Sequence, residues 1–293
     1  MVCIYEMLGT SGIVYAVLVS GGNPIGVPLT LFCLILMCDK ITGAHFNPGV
    51  STAVWISSGK MGENTMFYLM ILLSQFLGGL LGVFWGWLIL MPPSLLHDEH
   101  NIPDSWIPKL CPSSTTELGC DWSHDRDRAA FFFQFFCSFI FYFVIALIKG
   151  KFSSPSKDGI LKPLAVGLAL MAMVNLSGLQ GGACYNPAVA LGQIVFGVSQ
   201  TTGQDRKSIA HYAWVFLLAP LFSGVAAGIV QRLHDRSCEI MDNEGASAKQ
   251  MMPTGNLAPT SYAPSSRASK SGASSPLVID DMYSDSKQPG QAQ

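Results

Sequence analysis

Charge is what this sequence has least of. Asp, Glu, Lys and Arg make up 12% of its 293 residues, against about 25% in soluble globular domains. The 17 Lys and Arg nearly balance the 19 Asp and Glu, and no basic stripe stands out, which excludes a nucleic-acid partner. The eight cysteines never fall at Cys-x-x-Cys spacing, so neither a zinc nor a redox site is indicated. His97, His100 and His124 fit no metal template. No metal and no cofactor is therefore expected. Polar groups inside the apolar segments are also scarce. Glu6 and Gln134 alone do not make a catalytic constellation, and the chain does not read as an enzyme. The first apolar run has no basic segment before it and contains Glu6, so it is not read as a signal peptide.

What the chain does have is apolar length. It is 49% hydrophobic, with a mean hydropathy of +0.37. Six runs read as membrane spans: about Val2 to Ser20, Ile25 to Cys38, Thr65 to Met91, Ala129 to Ile148, Leu164 to Ser177 and Ile209 to Val230. The second is barely long enough and is stopped by Asp39-Lys40. The third carries Gly78, Gly82 and Gly86 at four-residue spacing, plus Gly79, and the sixth echoes this with Gly224 and Gly228. Such stripes let helices approach closely in lipid. Cys33, Cys38 and Cys137 lie in apolar runs and read as buried thiols. The polar connection from Pro92 to Arg128 holds Cys111 and Cys120, which either pair on an oxidising face or remain surface thiols.

One stretch occurs twice. Gly43-Ala44-His45-Phe46-Asn47-Pro48-Gly49-Val50 is matched by Gly182-Ala183-Cys184-Tyr185-Asn186-Pro187-Ala188-Val189, and long-period self-similarity of this kind marks an internal repeat. Asn is a good N-cap, and Pro is tolerated at the first helical position because its missing N–H has no helical partner there. Each copy therefore predicts a helix start. The helices are short, about Pro48 to Trp55 and Pro187 to Phe196, or roughly 12–15 Å at about 1.5 Å per residue. That is half of a hydrocarbon core of about 30 Å. Two such half-helices could meet at the midplane, with their positive dipole ends and their Asn side chains facing one another.

Each half of the chain thus reads as two spans, a box with a half-helix, and one further span. Three crossings is odd, so the second half enters from the opposite side, as in the inverted repeats of many transport proteins. The fold class is an all-α membrane protein with six transmembrane helices and two re-entrant half-helices. Eight Lys and Arg on one side (Lys40, Lys60, Lys149, Lys151, Lys157, Lys162, Arg232 and Arg236) against five on the other place both termini in the cytoplasm. Glu6, a carboxylate within a span, either faces the bundle interior with a partner or sits in the headgroup region. Residues 1–236 read as the membrane domain. Residues 237–293, rich in Ser, Pro, Ala and Gly, read as a disordered cytoplasmic tail. Its serines near Arg267 and Lys270 are either phosphorylation sites or plain solvated residues.

Over about residues 1–236 the sequence resembles the aquaporin and aquaglyceroporin family, the major intrinsic proteins. The residues that carry the resemblance are Glu6 with Gly9-Thr10, the Asn47-Pro48-Gly49 and Asn186-Pro187-Ala188 boxes, the glycines of the third span, and Lys162-Pro163-Leu164-Ala165-Val166-Gly167. The resemblance implies one pore per subunit, a homotetramer in the lipid bilayer, and passive conduction of water or small uncharged solutes. There are departures from the family pattern. Gly49 stands where Ala is usual. Gln134 stands where a Glu is usual near the start of the fourth span. The outer selectivity filter, usually aromatic with an Arg, maps onto Val27, Val174, Ala183 and Val189. A filter without a cation or an aromatic clamp predicts a wider pore that also passes glycerol, urea, ammonia or hydrogen peroxide. The alternatives are a filled filter that passes water alone, and a non-conducting structural or junctional member of the family.

Overall fold

The computed structural model describes residues 1–90, 124–177, 184–200 and 203–251. Among them are eight helices and no strand: α1 (Val2–Ser20), α2 (Gly26–Thr42), α3 (Pro48–Ser57), α4 (Met61–Leu90), α5 (His124–Lys149), α6 (Leu161–Ser177), α7 (Pro187–Gln200) and α8 (Gly203–Met251). The order of two helices, a short helix and a long helix occurs twice. Segments Val2–Ser20, Met61–Ile89, Asp127–Lys149 and Arg206–Glu244 are each long and apolar enough to cross a membrane. Helices α2 and α6 have 17 residues each, about 25 Å at 1.5 Å per residue.

Local chemistry sets the helix ends. Gly21 takes a left-handed conformation (φ 64°) to close α1, and Gly22 N–H donates to the Val17 carbonyl at 2.8 Å. The Asn23 side chain then accepts from the N–H groups of Ile25 and Gly26 at 3.0 and 2.8 Å and opens α2, since early helical N–H groups need such an acceptor. Asp39-Lys40 does not stop α2, as the sequence suggested. The helix continues to Thr42 and ends at Gly43, φ 77°, where only a residue without Cβ enters the left-handed region without strain. Helix α7 also outlasts its predicted end at Phe196 and has 14 residues.

The largest correction concerns the tail. Helix α8 runs past Ser237 to Met251, so the expected disorder does not begin at 237. The stretch holds Glu239, Met241, Glu244, Ala246, Ala248, Lys249 and Gln250, all good helix formers. Residues after Met251 lie outside the described part.

The two halves exchange their short helices. Helix α1 lies along α4, and α5 along α8, while α3 packs on α8 and α7 on α4. Glycine makes both crossings possible. A Cβ on Gly79 would overlap the Ala188 carbonyl, and a Cβ on Gly224 would sit 2.5 Å from the Gly49 carbonyl. The neighbouring positions face α1 and α5. Gly78 lies against the Met7 backbone, and in the second half Ser223 donates to the Phe135 carbonyl at 2.7 Å. Glycines that the sequence grouped as one stripe therefore serve two contacts, one within a half and one between halves. Large apolar side chains such as Phe84, Trp85, Phe136 and Phe222 remain exposed on the outside, as expected where lipid rather than water is the neighbour.

Candidate functional site

The two Asn-Pro boxes meet at the centre of the molecule. Asn47 caps α3 from an extended conformation (φ −155°, ψ 119°), with Pro48 following it as the first helical residue. Its side-chain oxygen accepts from Gly49 N–H at 2.9 Å. Asn186 does the same for α7, accepting from the N–H of Ala188 at 3.0 Å and of Val189 at 3.4 Å. With their oxygens committed to the caps, the amide nitrogens are free to donate. Asn47 Nδ2 donates across to the Tyr185 carbonyl at 2.7 Å, and Asn186 Nδ2 donates to the Phe46 carbonyl at 2.9 Å. Each asparagine thus holds the backbone just before the other. The result is a reciprocal lock between two helix N-termini, whose dipoles put partial positive charge at their meeting point. Asn47 is 4% exposed, whereas Asn186 is half-buried.

The segment before the first box is irregular backbone held from behind. Gly43, Ala44 and Phe46 have φ of 77°, 47° and 51°, and left-handed non-glycine residues persist only where the surroundings hold them. Glu6 on α1 is the holder. Its carboxylate accepts from His45 N–H at 3.0 Å, from Phe46 N–H at 2.7 Å and from Gln75 Nε2 at 2.8 Å. It is fully buried, so it faces the bundle interior and not the headgroups. In a trans peptide the carbonyl points opposite to the N–H of the same plane. The Ala44 and His45 carbonyls accordingly turn away from Glu6. Ser51 joins the same network, accepting from Gln75 Nε2 at 2.8 Å and lying 3.2 Å from His45 Nδ1. At the other end of the segment, Lys149 Nζ donates to the Gly43 carbonyl at 2.6 Å and pairs with Asp39 at 3.2 Å. A cation at the C-terminus of α2 is favourably placed for the helix dipole.

Gln134, the counterpart of Glu6 on α5, is 1% exposed. The filter positions are divided among three helices. Val27 is buried at the start of α2, and Val189 is buried in the first turn of α7. Val174 on α6 is part-exposed and packs against the core that contains the other two. Helices α2 and α6 approach where a Cβ on Gly167 would lie 3.2 Å from the Pro28 carbonyl, next to Val27. Ala183 lies outside the described residues, as do Cys111, Cys120, His97 and His100. No cluster of three or more His, Cys, Asp or Glu side chains suited to a metal ion occurs among the described residues.

Sequence reasoning missed Gln75, Ser51, Lys149 and Tyr142. Gln75 had a signal, being an uncharged polar residue in the middle of a long span, where such groups need partners. Tyr142 stood out less, inside the Phe-rich run of α5, although a buried phenol also needs a hydrogen-bond partner. Its hydroxyl donates to the Tyr185 carbonyl at 2.8 Å.

The family model described as "Major intrinsic protein" matches residues 22–231. Aquaporin-8 of Mus musculus is 24% identical over 205 residues, covering 70% of this chain and 67% of that protein. Aquaglyceroporin-3 of Trypanosoma brucei brucei is 34% identical over 94 residues, 32% of this chain and 30% of that one. In three dimensions the fold matches the crystal structure of the aquaglyceroporin from Plasmodium falciparum with a TM-score of 0.65 at 20% identity, covering 82% of this chain and 98% of that chain.

Proposed function

Because the chain belongs to the major intrinsic protein family, whose members are membrane channels and not enzymes, we propose that it is a passive pore for water that also admits small uncharged solutes: glycerol, urea, ammonia or hydrogen peroxide. The observation that carries the wider selectivity is the position three residues after the second Asn, where Val189 provides no cation. Selectivity in such pores follows from width, from the donors and acceptors on the wall, and from electrostatic barriers. In this reading Val27, Val174, Ala183 and Val189 form an apolar outer filter. Asn47 and Asn186 offer amide donors at the centre. The carbonyls of Ala44 and His45 supply acceptors along one wall, irregular backbone being tolerated at membrane depth only where it lines a cavity. The paired half-helix N-termini repel cations there. Aquaglyceroporin-3 and the Plasmodium falciparum aquaglyceroporin are named for water and glycerol, which supports the glycerol part of the reading. Assembly as a homotetramer with both termini in the cytoplasm belongs to the same proposal.

A specific observation favours a second reading. Val27 is 7% exposed and Val189 is 5% exposed, so both are covered by neighbouring groups. A filter closed in this way would pass water alone. Stopped-flow measurement on proteoliposomes, with water and glycerol side by side, separates the two. Flux of both is the expected result. Water flux alone overturns the wider filter, and flux of neither points to a closed or structural member of the family.

A further inference from the structure

The two boxes are not equivalent, and the difference lies in α5. Tyr142 follows Gln134 by the same interval at which Val14 follows Glu6, so the two occupy matching places in the repeat. Both are fully buried. In the first half the side chain is an isopropyl group; in the second it is a phenol that reaches across to the opposite box. Its hydroxyl donates to the Tyr185 carbonyl at 2.8 Å and lies 3.4 Å from Asn47 Oδ1. The Tyr185 carbonyl is the one that also receives Asn47 Nδ2. The third residue of each box differs in the complementary sense: Gly49 in the first box, Ala188 in the second. A Cβ on Gly49 would overlap the Tyr142 ring and hydroxyl. A phenol with a glycine therefore stands opposite a valine with an alanine.

We propose that Tyr142 is a positioning residue of the conduit, which packs behind the first box against Gly49 and sets the width of the centre by holding the Asn47 carboxamide in place. The proposal rests on the channel reading above. The ring fills the space beside Gly49; Asn47 is nearly covered, and Asn186 keeps part of its surface. The hydroxyl also saturates the Tyr185 carbonyl, which then takes two donors and has little capacity left for a passing solute, since a carbonyl oxygen carries two lone pairs. Solute recognition at the midplane accordingly falls mainly to Asn186. The size limit is set by the groups that Tyr142 braces as well as by the outer filter.

The test uses the full chain in proteoliposomes, comparing wild type with Tyr142→Val, Tyr142→Phe, Gly49→Ala and the pair Gly49→Ala/Tyr142→Val. The readouts are water and glycerol permeability per reconstituted protein, and their ratio, which a merely space-filling residue would not move. Tyr142→Val is expected to raise the glycerol-to-water ratio about threefold or more, as width and wall chemistry set selectivity. Gly49→Ala alone forces a methyl into the phenol and should lower both fluxes or prevent reconstitution. The pair, which copies the valine and alanine of the other half, should regain flux and show the raised ratio. Tyr142→Phe keeps the ring and leaves the Tyr185 carbonyl with Asn47 as donor and one lone pair open, so water permeability should rise about twofold with glycerol unchanged. An unchanged ratio in Tyr142→Val overturns the proposal. So does a pair as impaired as Gly49→Ala. If Tyr142→Val fails to fold, a Tyr142→Phe variant indistinguishable from wild type overturns it instead. Flux through wild type with unaltered ratios sinks this inference alone. If wild type and every variant match protein-free vesicles, the channel reading falls with it.

Discussion

Replacing Glu6 by Ala should unseat the first box without touching it. The Glu6 carboxylate is fully buried and accepts from two backbone N–H groups and one side-chain amide, at 3.0, 2.7 and 2.8 Å. Removing it strands the N–H groups of His45 and Phe46 inside the bundle, at about 1–3 kcal/mol each, or roughly 2–6 kcal/mol together. That is a large part of a typical net stability of about 5–15 kcal/mol. The segment has no slack to absorb the loss, because Ala44 and Phe46 already sit at positive φ, a conformation that costs about 1–3 kcal/mol per residue when unsupported. Relaxation of Phe46 would carry away the carbonyl that holds Asn186, so the damage should cross to the second box. The assay is thermal stability in detergent together with water permeability after reconstitution. Glu6→Ala should melt well below wild type and lose most of its flux. Glu6→Gln, which keeps one acceptor oxygen and mimics Gln134 at the matching site, should fall between. A Glu6→Ala protein with wild-type melting and wild-type flux would refute the claim that this carboxylate supports the pore backbone.

Other perturbations test other links. Asn186→Asp places a negative charge between the two half-helix N-termini; ionic conductance in planar bilayers should rise, and an ion-tight, water-conducting variant would count against the central dipole account. Val189→Arg adds a cation and bulk at the outer filter; glycerol flux should drop far more than water flux, and equal loss of both would speak against a filter at that position. Asp235 on α8 accepts from the Phe152 and Ser153 N–H groups, on the loop between α5 and α6, at 2.9 and 2.8 Å. Burial pushes its carboxyl up, but the Ser153 hydroxyl and the backbone N–H groups of Ser153, Phe152 and Lys151 together outweigh it and hold the carboxyl below the usual range. A depressed folded-state value means the clamp is fully present above the unfolded carboxylate range and is lost as pH falls through the lowered value. Amide exchange of residues 151–156, compared with the same peptide segment in Asp235→Asn at each pH, should therefore be slow at neutral pH and accelerate only in acid; fast exchange at neutral pH would remove the clamp.

The sequence by itself determined the architecture, because the signals for it are local. Asn47-Pro48 and Asn186-Pro187 begin helices through an N-cap and a ring-fixed φ, and neither depends on a distant partner. The repeated order of spans and half-helices followed from apolar length, and a carboxylate in the first span had either to find a partner in the bundle interior or to sit among the headgroups, because lipid offers it no solvation. Local reading fell short where two signals competed. At the end of α2 the charges of Asp39-Lys40 looked like a stop, but the backbone continued until Gly43 supplied a left-handed turn. Beyond Ser237 the Ser- and Pro-rich composition of the far tail masked a stretch of good helix formers that extends α8. The site itself was decided by tertiary structure. Glu6 meets His45, Phe46 and Gln75 only when the helices of the first half are packed, and Asn47 meets Tyr185 and Tyr142 meets Gly49 only when the two halves come together. Which side chain faces which backbone group depends on the rotation and crossing of those helices. Glycine contacts such as Gly79 on Ala188 and Gly224 on Gly49 set that geometry, and no periodicity along the chain records it.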